Sequence, residues 1–328
     1  MTTPAKDAGL PSEKEAIPVA ESPLRRFISD FSESRVALAG LAVFGCIVFM
    51  AIFAPYISPQ DPYDLAQLDI MDGRLEPGAK NMMGDTYWLG TDDQGRDMLS
   101  GIFYGLRTSL GVGAMSALLA LMFGGTMGLI AAYFGGRTDT LIMRVVDIQL
   151  SFPSILIALV LLAILGQGVD KIIIALVAAQ WAYYARTIRG TALVERRKEY
   201  IEAAACLALS HRHIVFRQLL PNCLPPLIVV GTVQVAHAIA LEATLSFLGI
   251  GLPITEPSLG LLISNGFEYM LSGKYWISFF PGVALLLTIV SINLVGDQLR
   301  DVLNPRSVSY THLTLPTRSC QCRSRWSA

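Results

Sequence analysis

The stretch Glu199-Tyr-Ile-Glu-Ala-Ala-Ala-Cys-Leu-Ala-Leu-Ser210, followed by Leu219-Leu-Pro-Asn222, is small-residue and amphipathic. It lies in a basic connection between two apolar runs, each long enough to cross a bilayer. A solvated connection gains little from so many alanines, and a buried core helix would not carry Glu199 and Glu202. A short helix resting closely on another protein at a membrane surface needs both. On a helix, Tyr200, Ala203, Ala204, Leu207 and His211 fall on one stripe at i, i+3, i+4 spacing. Ala203–Ala205 then form a low-profile surface, and Glu202 offers a charge to a partner's arginine or lysine. Pro221 is expected to limit the helix and start the turn into the next apolar run. Taken by itself the segment also fits a solvated connecting helix with no partner.

The surrounding chain decides the setting. Hydrophobic residues make up 53% of the sequence and charged residues 16%, and the mean hydropathy is +0.51, outside the range of soluble domains. A span needs about 20 apolar residues in helical form. The bracketing charges place the first at Val36–Ile57, the second between Arg107 and Arg137, and the third between Asp147 and Asp170. The fifth lies between Arg217 and Glu242, and the sixth between Lys274 and Asp297. Lys171 to Arg186 encloses only Ile172–Ala185, which reaches span length through Ile188 if its arginines snorkel. The expectation is an all-α polytopic membrane protein with six transmembrane helices. Arg25, Arg26 and Arg35 precede the first span, and Arg186, Arg189, Arg196, Arg197, Lys198, Arg212 and Arg217 follow the fourth. The positive-inside rule puts both termini and the 186–217 connection in the cytoplasm, and the aspartate-rich 58–106 and the 243–274 connections outside. The first span serves as insertion signal, because Met1–Pro23, with four prolines, has no apolar stretch.

Several chemistries are disfavoured. The charges are segregated, so the net charge of −1 gives no reason to expect nucleic acid. No GxxxxGK[ST] phosphate cradle and no HExxH occurs. No span centre carries an ionisable residue of the kind that ion-coupled carriers use at mid-depth. Cys46, Cys206 and Cys223 lie in or beside apolar segments without metal-ligand spacing. His211 and His213 read as polar surface, and His237 as a packed neutral imidazole. Gly124 and Gly128 form a GxxxG pair suited to close helix packing. A transporter without ion coupling or its own nucleotide site must take its energy from another protein.

The segment Glu199–Ser210, with Ile214 and Leu220-Pro221-Asn222, resembles the EAA loop of ABC importer permeases. Leu89-Gly-Thr-Asp-Asp-Gln-Gly-Arg-Asp-Met-Leu-Ser100, Tyr104–Gly113, Ala132-Tyr-Phe-Gly-Gly136, Met143–Asp147, Phe152-Pro153, Leu245-Ser-Phe-Leu-Gly-Ile-Gly251 and Asn293–Asp301 follow in the order seen in dipeptide and oligopeptide importers. Together they cover roughly residues 25–306, and the extra first span with its acidic loop resembles the C-type permease of such systems, or of the related nickel systems. The resemblance implies a type I ABC importer permease fold. It implies half of a channel for di- or oligopeptides and ATPase coupling through Glu199, Glu202, Ala203, Ala204, Leu207, Ala208, Ile214, Leu220 and Pro221. It also implies a homologous second permease, two cytoplasmic ABC ATPases carrying the ATP and magnesium, an extracytoplasmic binding protein, and a bacterial or archaeal cell membrane as the location. No cofactor and no enzymatic activity is expected of this chain. Nickel, opines or glutathione are alternative cargoes; an ion-coupled carrier or a membrane scaffold are the other classes. The pattern departs at Ala208, where the family has glycine, which predicts a stiffer bend, and at Glu256-Pro-Ser-Leu259.

The expected organisation is a disordered cytoplasmic tail over 1–24, the first span and acidic loop over 25–106, and a core permease domain over 107–306 with its coupling connection at 186–222. The end, 307–328, including Ser309–Arg318 and the Cys320/Cys322 pair, reads as a non-native or unstructured extension and is assigned no function.

Overall fold

A proline at the first position of a helix loses nothing, because its missing N–H would be unpaired there anyway. The chain uses this at α1 (Pro23–Ser32), the first element of the computed structural model, which describes residues 23–303 except 63, 65–67, 82, 83 and 85. The readings of 1–22 and 307–328 lie outside the described residues; residues 23 and 24, read as tail, begin α1. The Asp30 carbonyl accepts from Gln298 at 3.2 Å, tying α1 to the last helix.

Ser34 caps α2 (Arg35–Ile52) by accepting from the Ala37 N–H. Phe53 and Pro55 break it into the short α3 (Ala54–Ile57). The segment between α3 and α4 follows, with isolated antiparallel bridges at Lys80–Thr86 and Thr91–Asp97. The Thr91 hydroxyl donates to the Asp72 carbonyl at 2.6 Å. The Asp97 N–H donates to the Gln60 side-chain carbonyl at 2.7 Å. Asp92 is 1% exposed, and its Oδ1 accepts from the backbone of Gln94 and Arg96. Burial pushes its carboxyl up to about 6.

Asp97 then caps α4 (Met98–Phe134), whose 37 residues run unbroken until Gly135 turns the chain at φ 66. The expected boundary at 106/107 falls within this helix. Next come α5 (Gly136–Leu150) and α6 (Ser154–Leu165), bent by 90° relative to one another. Pro153 causes the break, since it cannot donate into a helix and restricts Phe152 before it. The remaining elements are α7 (Val169–Glu195), α8 (Glu199–Cys206), α9 (His211–His213), a π-helical turn at Ile214–Leu219, α10 (Leu220–Phe247), α11 (Leu259–Phe267) and α12 (Trp276–Leu303).

Among the described residues, four helices are long and apolar enough to cross a membrane: Arg35–Ile52, Met98–Phe134, His211–Phe247 and Trp276–Leu303. The bent α5–α6 pair makes five if it counts as one span. The fourth expected span lies within α7, whose 27 residues give it the length but whose polar and charged side chains keep it outside that apolar set. Leu118, Met122, Val160, Ile164 and Leu286 are exposed on the bundle, as expected of a surface in contact with lipid.

Packing is closest between α4 and α7. At Gly124 and Gly128 an added Cβ would collide with the carbonyl oxygens of Trp181 and Ala185, so the GxxxG pair seats one helix of this chain on another. At the other end, Ile47, Met98, Ile102, Leu106, Leu259 and Trp276 join α2, α4, α11 and α12. Glu242, read as the boundary of the fifth span, lies inside α10 and is fully buried. Its carboxylate accepts from the Ser109 and Ser246 hydroxyls, both at 2.8 Å. A buried carboxylate satisfied in this way lets α10 continue to Phe247.

Candidate functional site

The site is the connection from the end of α7 to the start of α10. Arg196 follows α7 and donates to the Ala132 carbonyl at 3.0 Å, satisfying the C-terminal end of α4. Lys198 and Glu195 pair at 2.6 Å. The Tyr200 hydroxyl donates to Glu195 Oε2 at 2.9 Å and accepts from Asn222 Nδ2 at 3.1 Å. These contacts fix the first turn of α8 to α7 and α10 together. Burial, helped by the Glu195 carboxylate, pushes the Tyr200 hydroxyl up to about 12. Glu199 and Glu202 occupy the first turn of α8, where their charge suits the positive end of the helix dipole.

Only one stripe of α8 faces inward. Ile201 and Ala204 are 6% and 3% exposed and join Leu129 and Ala132 of α4, Ile188 and Ala192 of α7, and Ile214, Leu219 and Cys223. This corrects the expectation that Ala204 lies on the contact surface. With Ile201 it forms the i, i+3 apolar pair by which so short a helix adheres, and its small side chain lets α8 lie close to the bundle. Ile214 is likewise buried and Leu220 half-buried, whereas Pro221 is exposed. Glu199, Glu202, Ala203 and Leu207 are exposed on α8 and at its end, with Leu207 at 75%.

The helix ends one turn earlier than the stripe through His211 requires. Leu209 N–H donates to the Ala204 carbonyl and Ala208 N–H to the Ala205 carbonyl, with Ala208 at φ 54. This is the Schellman arrangement, with alanine in the left-handed position usually held by glycine. That conformation costs a non-glycine residue roughly 1–2 kcal/mol. His211 therefore leaves the stripe: its Nδ1 lies 2.6 Å from the Tyr133 hydroxyl, at the end of α4.

Pro221 does not end the helix as expected. From His211 the chain winds continuously into α10. The π-helical turn at Ile214–Leu219 widens the helix where the proline ring would otherwise meet the preceding turn. The Gln218 carbonyl there accepts from the Asn222 side chain at 2.7 Å. The sequence reading missed Ile201 and the Glu195–Tyr200–Asn222 network. The isoleucine between two charged positions was its visible signal.

Arg186 and Arg189, counted as connection charges, lie in α7 and pair with α5. Arg189 Nη2 reaches Asp139 Oδ2 at 2.6 Å, and Arg186 pairs with Asp147. Among the described residues no cluster of histidine, cysteine or acidic side chains could hold a metal ion. The arrangement is an externally presented short helix braced on the ends of α4, α7 and α10.

Comparison with known proteins places the chain. Residues 124–309 match the family described as binding-protein-dependent transport system inner membrane component. Residues 22–77 match the N-terminal transmembrane domain of oligopeptide transport permease C. The di/tripeptide transport system permease protein of Pseudomonas aeruginosa is 36% identical over 88% of this chain and 94% of its own length. A putative peptide transport system permease protein of Brucella suis is 40% identical over 81% of this chain and 86% of its own length. A solved structure of the MetNI methionine ABC transporter in inward facing conformations superposes with a TM-score of 0.52 at 20% identity. It covers 63% of this chain and 98% of the matched one. The chain belongs to the binding-protein-dependent transport system inner membrane component family, with the all-helical fold of an ABC importer permease.

Proposed function

We propose that this chain is one half of the membrane channel of an ATP-driven importer of short peptides, coupled to separate cytoplasmic ATPases through α8. The observation that carries this is the two-sidedness of α8: Ile201 and Ala204 hold it to the bundle, while Glu199, Glu202, Ala203 and Leu207 are exposed. Leu207, Ala208, Ile214, Leu220 and Pro221 set the outline and brace of that contact. The names of the Pseudomonas and Brucella relatives support peptides as the cargo. In this reading a homologous permease completes the channel, two ATPases bind the ATP and magnesium, and an extracytoplasmic binding protein delivers the peptide. Six spans, α7 among them, cross a bacterial or archaeal cell membrane, with α8 and both termini in the cytoplasm and the segment before α4 outside. Closure of the ATPases would move α8, and its brace would pass that movement to α4, α7 and α10.

The test is Glu202→Lys in the assembled complex, reading peptide uptake together with ATPase stimulation by the binding protein. Loss of both is expected. Normal uptake with normal stimulation sinks the coupling assignment.

A further inference from the structure

A cavity of about 660 Å³ lies between α7, α10 and α12. Its size falls within the usual range for small-molecule sites, roughly 300–1,000 Å³. Much of the wall is apolar, with Pro225, Pro226 and Val233 among its residues. Three polar side chains on that wall bear on what it can hold. Gln234 of α10 is 8% exposed, and its side-chain oxygen has no hydrogen-bond partner among the described residues. A buried acceptor left in this way keeps its desolvation cost until a donor reaches it. Asp297 and Arg300 of α12 line the same cavity and are exposed. Neither enters an ion pair with the other or with any described residue.

The cavity thus offers one carboxylate, one guanidinium and one lone amide oxygen. An anion alone would leave Asp297 facing like charge, and a cation alone would leave Arg300 unmatched. A lipid acyl chain would leave Gln234 without a donor. A zwitterion carrying an internal N–H satisfies all three groups. Residues at i and i+3 on a helix have Cβ atoms about 5–6 Å apart. The two residues of a dipeptide extend over at most about 7 Å. We propose that this cavity binds a short peptide in its zwitterionic form, its ammonium at Asp297, its carboxylate at Arg300 and a backbone N–H donating to Gln234. This assignment rests on the peptide-import reading and gives it a subsite within the membrane chain itself, separate from the binding protein. Recognition confined to the termini and backbone would accept many side chains.

The experiment measures equilibrium binding of dialanine, N-acetyl-dialanine and dialanine amide to the assembled importer, in lipid discs without the binding protein. Uptake of dialanine is measured in parallel with the binding protein present. The wild type is expected to bind dialanine at least fivefold more tightly than either blocked form. Asp297→Asn should remove the preference against the acetylated form, and Arg300→Gln the preference against the amide. Arg300→Lys should keep the latter, and Gln234→Leu should weaken all three ligands together. A wild type that imports dialanine while these variants bind every form as it does overturns the subsite and leaves the import reading standing. So does a complex that retains phosphatidylethanolamine at Arg300 and binds no dialanine. A wild type that imports no peptide at all overturns the import reading.

Discussion

Ala203 and Ala204 are neighbours in sequence and opposites in the structure, so enlarging each one separates the two jobs of α8. Ala204 is 3% exposed against Leu129, Ala132, Ile188 and Ala192. Leucine there inserts three further carbons into a filled space, and overpacking of this kind costs typically about 1–3 kcal/mol. The least costly relief is for α8 to lift from the bundle, which would strain the Tyr200–Glu195 and Tyr200–Asn222 hydrogen bonds. Ala203 is exposed, so tryptophan there should leave the stability of the isolated chain within about 0.5 kcal/mol. Its indole would instead occupy the surface proposed to receive the ATPase. The assay compares thermal unfolding of the purified chain in detergent, recovery of the ATPases on affinity purification, and peptide uptake by the reconstituted complex. Ala204→Leu should lower the unfolding temperature, while Ala203→Trp leaves it in place and loses the ATPases. Normal assembly and uptake with Ala203→Trp, or equal loss of stability in both variants, would refute the orientation of α8 as a docking helix.

Other consequences are as direct. Gly128→Ala should lower thermal stability by about 1–3 kcal/mol, because its methyl group meets the Ala185 carbonyl and Ile188; an unchanged unfolding temperature would contradict the close α4–α7 contact. Ala208→Gly should remove roughly 1–2 kcal/mol of left-handed strain and return about half of it through the freer unfolded chain. The net gain would appear as slower hydrogen exchange at Leu209, whose N–H closes the turn. Asp92 has its carboxyl raised from 3.8 to about 6 by burial, so the folded segment before α4 holds the proton more tightly than the unfolded chain. Its contribution is greatest below about pH 4 and is lost as pH rises through 6, by up to about 3 kcal/mol. Hydrogen exchange over 91–97 should therefore quicken across that window beyond its intrinsic pH dependence, and Asp92→Asn should abolish the excess.

Much of the architecture was legible because charges bracket apolar runs: Arg35, Arg107, Arg217 and Lys274 mark four spans that reappear as four long helices. The 90° break at Pro153 was visible as a proline, but its angle depends on how α6 packs against α7. Glu242 misled as a boundary, since of its three buried serine neighbours Ser246 is one turn on in the same helix but Ser109 and Ser258 come from other elements. At α8 the composition identified the helix, while spacing extended the stripe across Ala208. Nothing in an alanine announces a positive φ. The inward turn of Ala204 was equally hidden, because small residues suit either face and only Ile201 breaks the tie. Pro221 read as a stop because helix rules assume a 3.6-residue winding, which the π-helical turn locally abandons.

The uninterrupted length of α4 has one more consequence. It starts at the Asp97 cap beside the segment that follows α3 and finishes where Arg196 grips the Ala132 carbonyl next to α8. At 1.5 Å per residue it is a rod of about 55 Å, so a tilt of about 5° at one end displaces the other by about 5 Å. Such a lever needs no relay of side-chain rearrangements. In the proposed assembly a cargo carrier settling on the segment before α4 and an ATPase pressing on α8 would feel one another through a single stiff beam, and loosening that beam midway should uncouple the two while leaving each contact intact.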